Sequence, residues 1–94
     1  MILVGKRALT EFARKHANAR EAIAAWTLEI EAARWRSGVD VRARFPSVSF
    51  VGNDRLIFNL KGNHYRIDVQ VNYPAQIVLV RRIGTHAEYD SWTF

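Results

Sequence analysis

The spacing of apolar residues changes along the chain, and the change divides it into a helical part and a strand part. A short apolar strand, Ile2–Val4, closes at Gly5, after which apolar positions recur every three or four residues and predict a helix over Lys6–Ala17. Asn18 is the predicted N-cap of a second helix, with Glu21 as its capping-box partner. The first part of the chain is therefore predicted to be mainly helical.

The second predicted helix has one apolar stripe, which we assign to the core: Ile23, Trp26, Ile30 and Ala33. The sequence Arg34-Trp35-Arg36-Ser37-Gly38 interrupts this pattern. Ser37 and Asp40 can cap one more short turn that continues through Arg44, and Pro46 ends it. Two to three helices are thus expected before the strands begin.

Alternation with a period of two follows, broken by turn-forming residues. The predicted strands are Val48–Val51, Arg55–Leu60, Tyr65–Asn72 and Gln76–Thr85. Their short connections predict an antiparallel meander. In the third strand the alternation places Tyr65 on the helix-facing side and Arg66 on the opposite side, whereas residues 77–80 are apolar on both faces and predict a central strand.

These elements predict an α+β fold in a single domain over residues 1–94. An N-terminal short strand and two to three helices pack on a mainly antiparallel sheet of four to five strands. A chain of 94 residues with 49% hydrophobic content can build one compact core. The sequence has no cysteine, which excludes disulfides, thiolate-bound zinc and a cysteine nucleophile. It has no signal peptide or membrane-length apolar run, so a cytoplasmic protein without membrane association is expected.

The charge of the chain points to an anionic partner. Fourteen lysines and arginines against nine acidic residues give a net charge of +5. The positive electrostatic field that results attracts nucleic acid or an acidic protein, although many small basic proteins simply have positive surfaces.

Polar and titratable side chains are predicted to converge at one end of the sheet. In an antiparallel pair the start of one strand lies beside the end of its neighbour, so Tyr65 and Arg66 are expected close to residues 82–85. The residues brought together are Lys61, Asn63, His64 and Arg66 around one turn, and Arg81, Arg82, His86 and Tyr89 at the end of the next strand.

This set matches the needs of RNA cleavage by a ribose 2′-hydroxyl, which requires a base, cations over the phosphate and an acid for the leaving oxygen. His86 and Tyr89 are the candidate acid and base, and Lys61 and Arg66 the candidate phosphate contacts. Candidate RNA-binding residues are Asn63, His64, Arg81 and Arg82. Structural alternatives remain: an imidazole at 86 that caps a turn, a phenol at 89 that packs on the core, and His16 as a solvated cation at a helix end.

Metal and cofactor chemistry has little support in the sequence. The carboxylates are scattered and no His-x-x-x-His spacing occurs, so no metal site is predicted. No phosphate-binding loop of the Gly-x-x-x-x-Gly-Lys-Ser/Thr type occurs either. The expected chemistry therefore uses side chains alone.

Several motifs together resemble the HigB-type toxins of bacterial toxin–antitoxin modules, which belong to the RelE superfamily. The resemblance covers nearly the whole chain. Its motifs are Phe45-Pro46-Ser47, Val51-Gly52-Asn53-Asp54-Arg55, Phe58-Asn59-Leu60-Lys61-Gly62-Asn63, Tyr65-Arg66 and Gly84-Thr85-His86-Ala87-Glu88-Tyr89-Asp90. The pair Phe-Asn-Leu-Lys-Gly-Asn and Gly-Thr-His-x-Glu-Tyr-Asp is its most specific part.

The resemblance implies a small toxin that enters the ribosomal A site and cuts the bound mRNA without a metal or other cofactor. It also implies a cognate HigA-like helix-turn-helix antitoxin. By position, Arg66 resembles the superfamily's phosphate-stabilising arginine and Lys61 a lysine that stabilises or activates the reacting groups, while His86 and Tyr89 lie where related toxins place an acid or a base. The alternative function is a non-catalytic RNA- or protein-binding module built on the same fold.

Overall fold

The computed structural model describes all residues, 1–94, as a single sheet with the first three α-helices packed on one face. The strands are β1 (Ile2–Val4), β2 (Ser49–Phe50), β3 (Arg55–Leu60), β4 (Tyr65–Asn72) and β5 (Ile77–Thr85). The α-helices are α1 (Lys6–Lys15), α2 (Arg20–Ala32), α3 (Gly38–Arg44) and α4 (His86–Tyr89). None of them has the length and apolar character needed to cross a bilayer.

The five strands form one mixed sheet in the order β1-β5-β4-β3-β2. Strands β2 to β5 pair antiparallel, as the short turns predicted, and β1 adds to β5 in parallel. The predicted α+β fold is confirmed. Strand β5 is interior, as its apolar run predicted, although β4 is the middle strand of the five.

The segment between α1 and α2 differs from its prediction. Helix α1 ends at Lys15 rather than Ala17, and a 3-10 turn over Ala17–Ala19 precedes α2. The predicted capping box was wrong, because Ala19 occupies the N-cap of α2 and no side chain caps it. Asn18 instead accepts a hydrogen bond from the Tyr65 hydroxyl at 2.6 Å. A tertiary partner on β4 has thus replaced the local cap.

Helix α3 begins as predicted. Ser37 is its N-cap and accepts a hydrogen bond from the Val39 backbone N–H. The Asp40 carboxylate accepts from the backbone N–H of Arg36 at 2.8 Å. That bond, together with the Arg36 guanidinium, holds the pKa of Asp40 below its usual range.

The core lies between the helices and the inner face of the sheet. The α2 stripe is buried through Trp26 and Ile30, and it meets inner-face residues such as Phe58, whose ring centroid is 5.5 Å from that of Trp26. Gly5 joins β1 to α1 with φ +94°, and a Cβ there would lie 3.0 Å from the Val80 carbonyl oxygen. A non-glycine residue would be both strained and crowded at this position.

The outer face of the sheet is covered near its middle by the last residues of the chain. Asp68 in β4 is fully buried, although its position in the alternating pattern predicted the polar face. Its carboxylate accepts hydrogen bonds from Arg55 Nε at 3.0 Å and Arg82 Nε at 2.8 Å. The Arg82 guanidinium lies over the Trp92 and Phe94 rings, 4.5 and 5.2 Å from their centroids. We call Tyr89, Trp92 and Phe94 the aromatic segment.

A β-bulge in β5 makes this arrangement possible. Val80 pairs with Val69, but Arg82 pairs with Asp68, so Arg81 is one extra residue in the ladder. Val80 therefore stays on the core face while Arg82 joins Asp68 on the outer face. Ile83 returns to the core face opposite Ile67.

Candidate active site

The predicted convergence at one end of the sheet is confirmed by the strand register. Tyr65 pairs with Thr85 and Arg66 with Gly84, so the start of β4 lies beside the end of β5. We call this end the rim: the turn 61–64, the start of β4, the end of β5, and α4. Tyr65 is buried in the core, and Arg66 lies on the outer face, as its position in the alternation predicted.

Helix α4 presents His86 and Tyr89, and the sequence analysis did not predict it. Thr85 is its N-cap, and a complete capping box joins Thr85 to Glu88. The signal was available in the sequence as Thr-x-x-Glu directly after an apolar strand. The backbone N–H of His86 donates to the His64 carbonyl at 3.1 Å, which fixes α4 to the turn between β3 and β4.

Arg66, Tyr89 and His86 form one group on the rim. The Arg66 guanidinium carbon lies 4.4 Å from the centroid of the Tyr89 ring, and its Nε–H is buried without a hydrogen-bond partner. The ring centroids of His86 and Tyr89 are 6.4 Å apart. Asp90 Oδ2 lies 3.6 Å from Nδ1 of His86. Because the His86 imidazole is half-exposed, a molecule approaching the rim can reach it.

Gly84 makes room for this group. A Cβ at this position would lie 2.8 Å from the Trp92 indole and 3.1 Å from Cβ of Glu88. The ring centroids of Trp92 and Tyr89 are 5.5 Å apart in an edge-to-face arrangement. Trp92 therefore packs against Tyr89, and only glycine fits at position 84 beneath the Trp92 indole.

Lys61 lies on the helical side of the rim, away from Arg66. Its ammonium donates to the Asn18 carbonyl at 3.3 Å, and Asn18 also holds the Tyr65 hydroxyl. The Lys61 backbone has φ +50°, which costs a residue with a side chain about 1–2 kcal/mol. Lys61 and Arg66 thus flank the rim from opposite faces of the sheet.

A shallow, open depression adjoins α4 on the helical side. It is lined by Asn63, His64, Tyr65, Thr85, His86, Ala87 and His16. The predicted RNA-binding residues Asn63 and His64 are thus next to His86. His16 lies at the end of α1, as predicted, and its ring stacks on Phe12 with the centroids 4.2 Å apart.

Arg81 and Arg82 differ in their surroundings. Arg81 is the exposed bulge residue. Arg82 binds Asp68 and donates to the Thr93 carbonyl at 3.0 Å, so its guanidinium is engaged inside the protein. Binding of RNA by these two arginines stays a prediction. No three histidine or acidic side chains are arranged to hold a metal ion.

This arrangement offers two groups that can transfer protons, the His86 imidazole and the Tyr89 phenol, beside the Arg66 guanidinium. Proton transfer by a positioned side chain and charge stabilisation by a cation are the requirements of acid–base chemistry at a phosphate. The site is open rather than enclosed, as suits a polymeric substrate.

The chain is similar to known proteins along nearly its whole length. Residues 19–92 match the HigB toxin family, described as the RelE-like toxic component of a toxin–antitoxin system. The mRNA interferase toxin HigB of Escherichia coli K12 is 30% identical to this chain over 95 residues, which cover 99% of the chain and 91% of that protein. The mRNA interferases HigB of Escherichia coli O157:H7 and Shigella flexneri match to the same extent.

Proposed function

This chain belongs to the HigB family of RelE-like toxins, the toxic components of toxin–antitoxin systems, and on that premise we propose that it cleaves mRNA. The observation that carries the proposal is the group on the rim. The Arg66 guanidinium lies over the Tyr89 ring, and the His86 imidazole is next to that ring. These are the groups that metal-independent cleavage of a phosphodiester requires.

In the proposed reaction the ribose 2′-oxygen attacks the adjacent phosphorus. The bond between O2′ and phosphorus forms, and the bond between phosphorus and the 5′-oxygen of the next nucleotide breaks. A base accepts the proton of the 2′-hydroxyl, and an acid donates a proton to the departing 5′-oxygen. The products are a 2′,3′-cyclic phosphate and a free 5′-hydroxyl.

Arg66 is the group we assign to the phosphate. Charge accumulates on the non-bridging oxygens as the five-coordinate phosphorus forms, and a guanidinium can donate to two of them at once. The Tyr89 ring beneath Arg66 keeps the guanidinium plane in place without using its hydrogen-bond donors. His86 and Tyr89 share the proton transfers, and either can be the acid.

We further propose that the substrate is mRNA in the ribosomal A site, so the protein acts in the cytoplasm. A net charge of +5 favours approach to ribosomal RNA, and the similarity to mRNA interferases supports mRNA as the substrate. As a toxin of a toxin–antitoxin system it has an antitoxin partner. We propose that this antitoxin is a HigA-like helix-turn-helix protein.

The proposal is tested by mapping 5′ ends of transcripts after brief induction of the protein. We expect new internal ends within translated regions, each with a 5′-hydroxyl. If the ribosome is required, the purified protein should cut an mRNA on programmed ribosomes and leave the same mRNA intact when ribosomes are omitted. Growth arrest without new ends would overturn cleavage and favour the alternative, a basic module that binds RNA or protein without cutting it.

Arg66→Lys tests whether the planar shape of the guanidinium contributes to cleavage in addition to its charge. Arg66→Lys keeps the positive charge but loses the planar fork, so we expect cleavage to slow by about 10²-fold. Arg7→Lys is the matched control, because Arg7 is an exposed arginine of α1 outside the rim, and it should cleave at the wild-type rate. Equal rates for Arg66→Lys and the wild type in single-turnover assays would remove Arg66 from the phosphate site.

Lys61→Gly should slow cleavage while leaving the stability of the protein nearly unchanged. Glycine adopts φ +50° without strain, and this gain offsets the lost hydrogen bond to Asn18, so the free energy of unfolding should stay within about 1 kcal/mol of wild type. Cleavage should fall by roughly tenfold or more if the ammonium acts on the substrate. Asn53→Gly, at φ +48°, is the control for glycine in this conformation. Full cleavage by Lys61→Gly would restrict Lys61 to a structural role.

A further inference from the structure

We propose that His16 is a stacking platform for a base of the bound RNA, next to the nucleotide that is cut. This inference rests on the proposed function and adds a binding subsite to it. His16 lies just before residues 19–92, which match the family model.

The His16 ring is held in a fixed orientation from one side. It stacks on Phe12 with the centroids 4.2 Å apart and the ring planes 26° apart. Its backbone N–H donates to the Phe12 carbonyl at 2.8 Å, which ends α1 at this residue. Tyr65, 5.9 Å from the His16 ring by centroids, is itself held by Asn18. An aromatic ring that is already immobilised loses little entropy when a base stacks on it.

The rest of the depression suits a nucleotide. Its other residues include Asn63, His64 and Thr85, whose side chains can donate to and accept from a base edge. None of the lining residues is acidic, so a phosphate can enter without repulsion. The imidazoles of His16, His64 and His86 all border this one depression, and they are all the histidines of the chain.

The position of the depression determines which nucleotide it would hold. His86 belongs both to the lining of the depression and to the group with Tyr89 and Arg66. A strand of RNA with its reacting phosphate at Arg66 would therefore place a neighbouring base over the helical side of the rim. Because stacking does not depend on the identity of the base, His16 would contribute affinity and only a weak sequence preference.

The test compares His16→Leu with His16→Phe. Leucine still packs on Phe12 but offers no aromatic face, whereas phenylalanine keeps the face and removes the ring nitrogens. Binding is measured on ribosomes programmed with an mRNA that carries 2′-deoxyribose at the A-site codon, which cannot be cut. We expect His16→Leu to bind about 5- to 150-fold more weakly than wild type and His16→Phe to bind within about twofold of it. Lys15→Ala, the neighbouring exposed cation, controls for loss of charge.

If His16→Leu binds with wild-type affinity, His16 is not a stacking platform. If His16→Leu and His16→Phe weaken binding equally, the ring nitrogens make a polar contact and the stacking role is again excluded. Melting curves of both variants identify any loss that comes from unfolding. The wild type could bind the deoxy-substituted mRNA and yet fail to cut the unmodified mRNA. The proposed cleavage reaction would then be wrong, but the binding of His16→Leu and His16→Phe would still decide the role of His16. If the wild type does not bind at all, both proposals fail.

Discussion

Cleavage by His86→Ala should be slower than wild type by about 10²- to 10⁴-fold, the usual contribution of one general acid or base. The fold should be unaffected, because the His86 side chain is half-exposed and α4 is held by the capping box of Thr85 and Glu88. The backbone bond from residue 86 to the His64 carbonyl survives the substitution. Single-turnover cleavage on programmed ribosomes, with ribosome binding measured in parallel, checks this result.

Ser91→Ala is the matched control for that experiment. Ser91 lies in the same segment, and its hydroxyl donates only to the Glu88 carbonyl at 2.7 Å. We expect its cleavage rate to equal that of the wild type. Undiminished toxicity of His86→Ala would remove the imidazole from the reaction and leave it the structural role of a side chain in a capped turn.

The division of labour between His86 and Tyr89 can be resolved with a substrate whose 5′-bridging oxygen is replaced by sulfur. A thiolate leaves without a proton, so the variant that lacks the acid should recover most of its rate on this substrate. The variant that lacks the base should stay slow. His86→Ala and Tyr89→Phe are compared on the two substrates, and Tyr89→Phe keeps the ring under Arg66.

Asp68→Ala should have the largest effect on stability. Asp68 is fully buried, and its carboxylate binds two arginines, Arg55 and Arg82. Removal of the carboxylate leaves both guanidinium groups without their charge partner in a covered site, which typically costs roughly 3–5 kcal/mol. In a domain of this size we expect the melting temperature to fall by about 15 °C or more.

Two further variants define the cause of that loss. Asp68→Asn keeps the shape and some hydrogen bonding but not the charge, so it should fall between alanine and wild type. Glu11→Ala removes an exposed carboxylate of α1 and should change the free energy of unfolding by less than about 0.5 kcal/mol. Wild-type stability of Asp68→Ala in denaturant titrations would show that the arginines find solvent when the carboxylate is absent.

Much of the fold could be predicted because periodicity and turns agree with the tertiary structure. The bounds of β3 and β4 are those predicted, and antiparallel pairing alone placed Arg66 beside the end of β5. The family resemblance was carried by residues on these same strands and on the segment that follows them. Local signals were sufficient there because the strands are consecutive in sequence.

The errors have a common physical origin, which is tertiary contact at polar residues. Asn18 was predicted to be a helix N-cap from its residue type and position. Its side chain instead accepts a hydrogen bond from the Tyr65 hydroxyl of β4, a contact that no local pattern could show. Asp68 had the spacing of a solvent-facing residue, yet it is buried because the aromatic segment folds back over it. The stacking of His16 on Phe12 and its place beside His86 had no local signal either, because they depend on the packing of α1 against the sheet.

The bulge at Arg81 divides β5 into two halves that tolerate different kinds of sequence change. Arg81 is the surplus residue of the ladder, so its substitution alters one exposed side chain and its deletion leaves Arg82 directly after Val80, still opposite Asp68 on the outer face. An insertion or deletion between Arg82 and Thr85 would instead turn the residues that follow it to the opposite face, and α4 would leave β5 in the wrong direction for Tyr89 to meet Arg66. Among descendants of this sequence, a change of residue type or a deletion at position 81 should therefore be compatible with toxicity, whereas a change in length between Arg82 and Thr85 should accompany its loss.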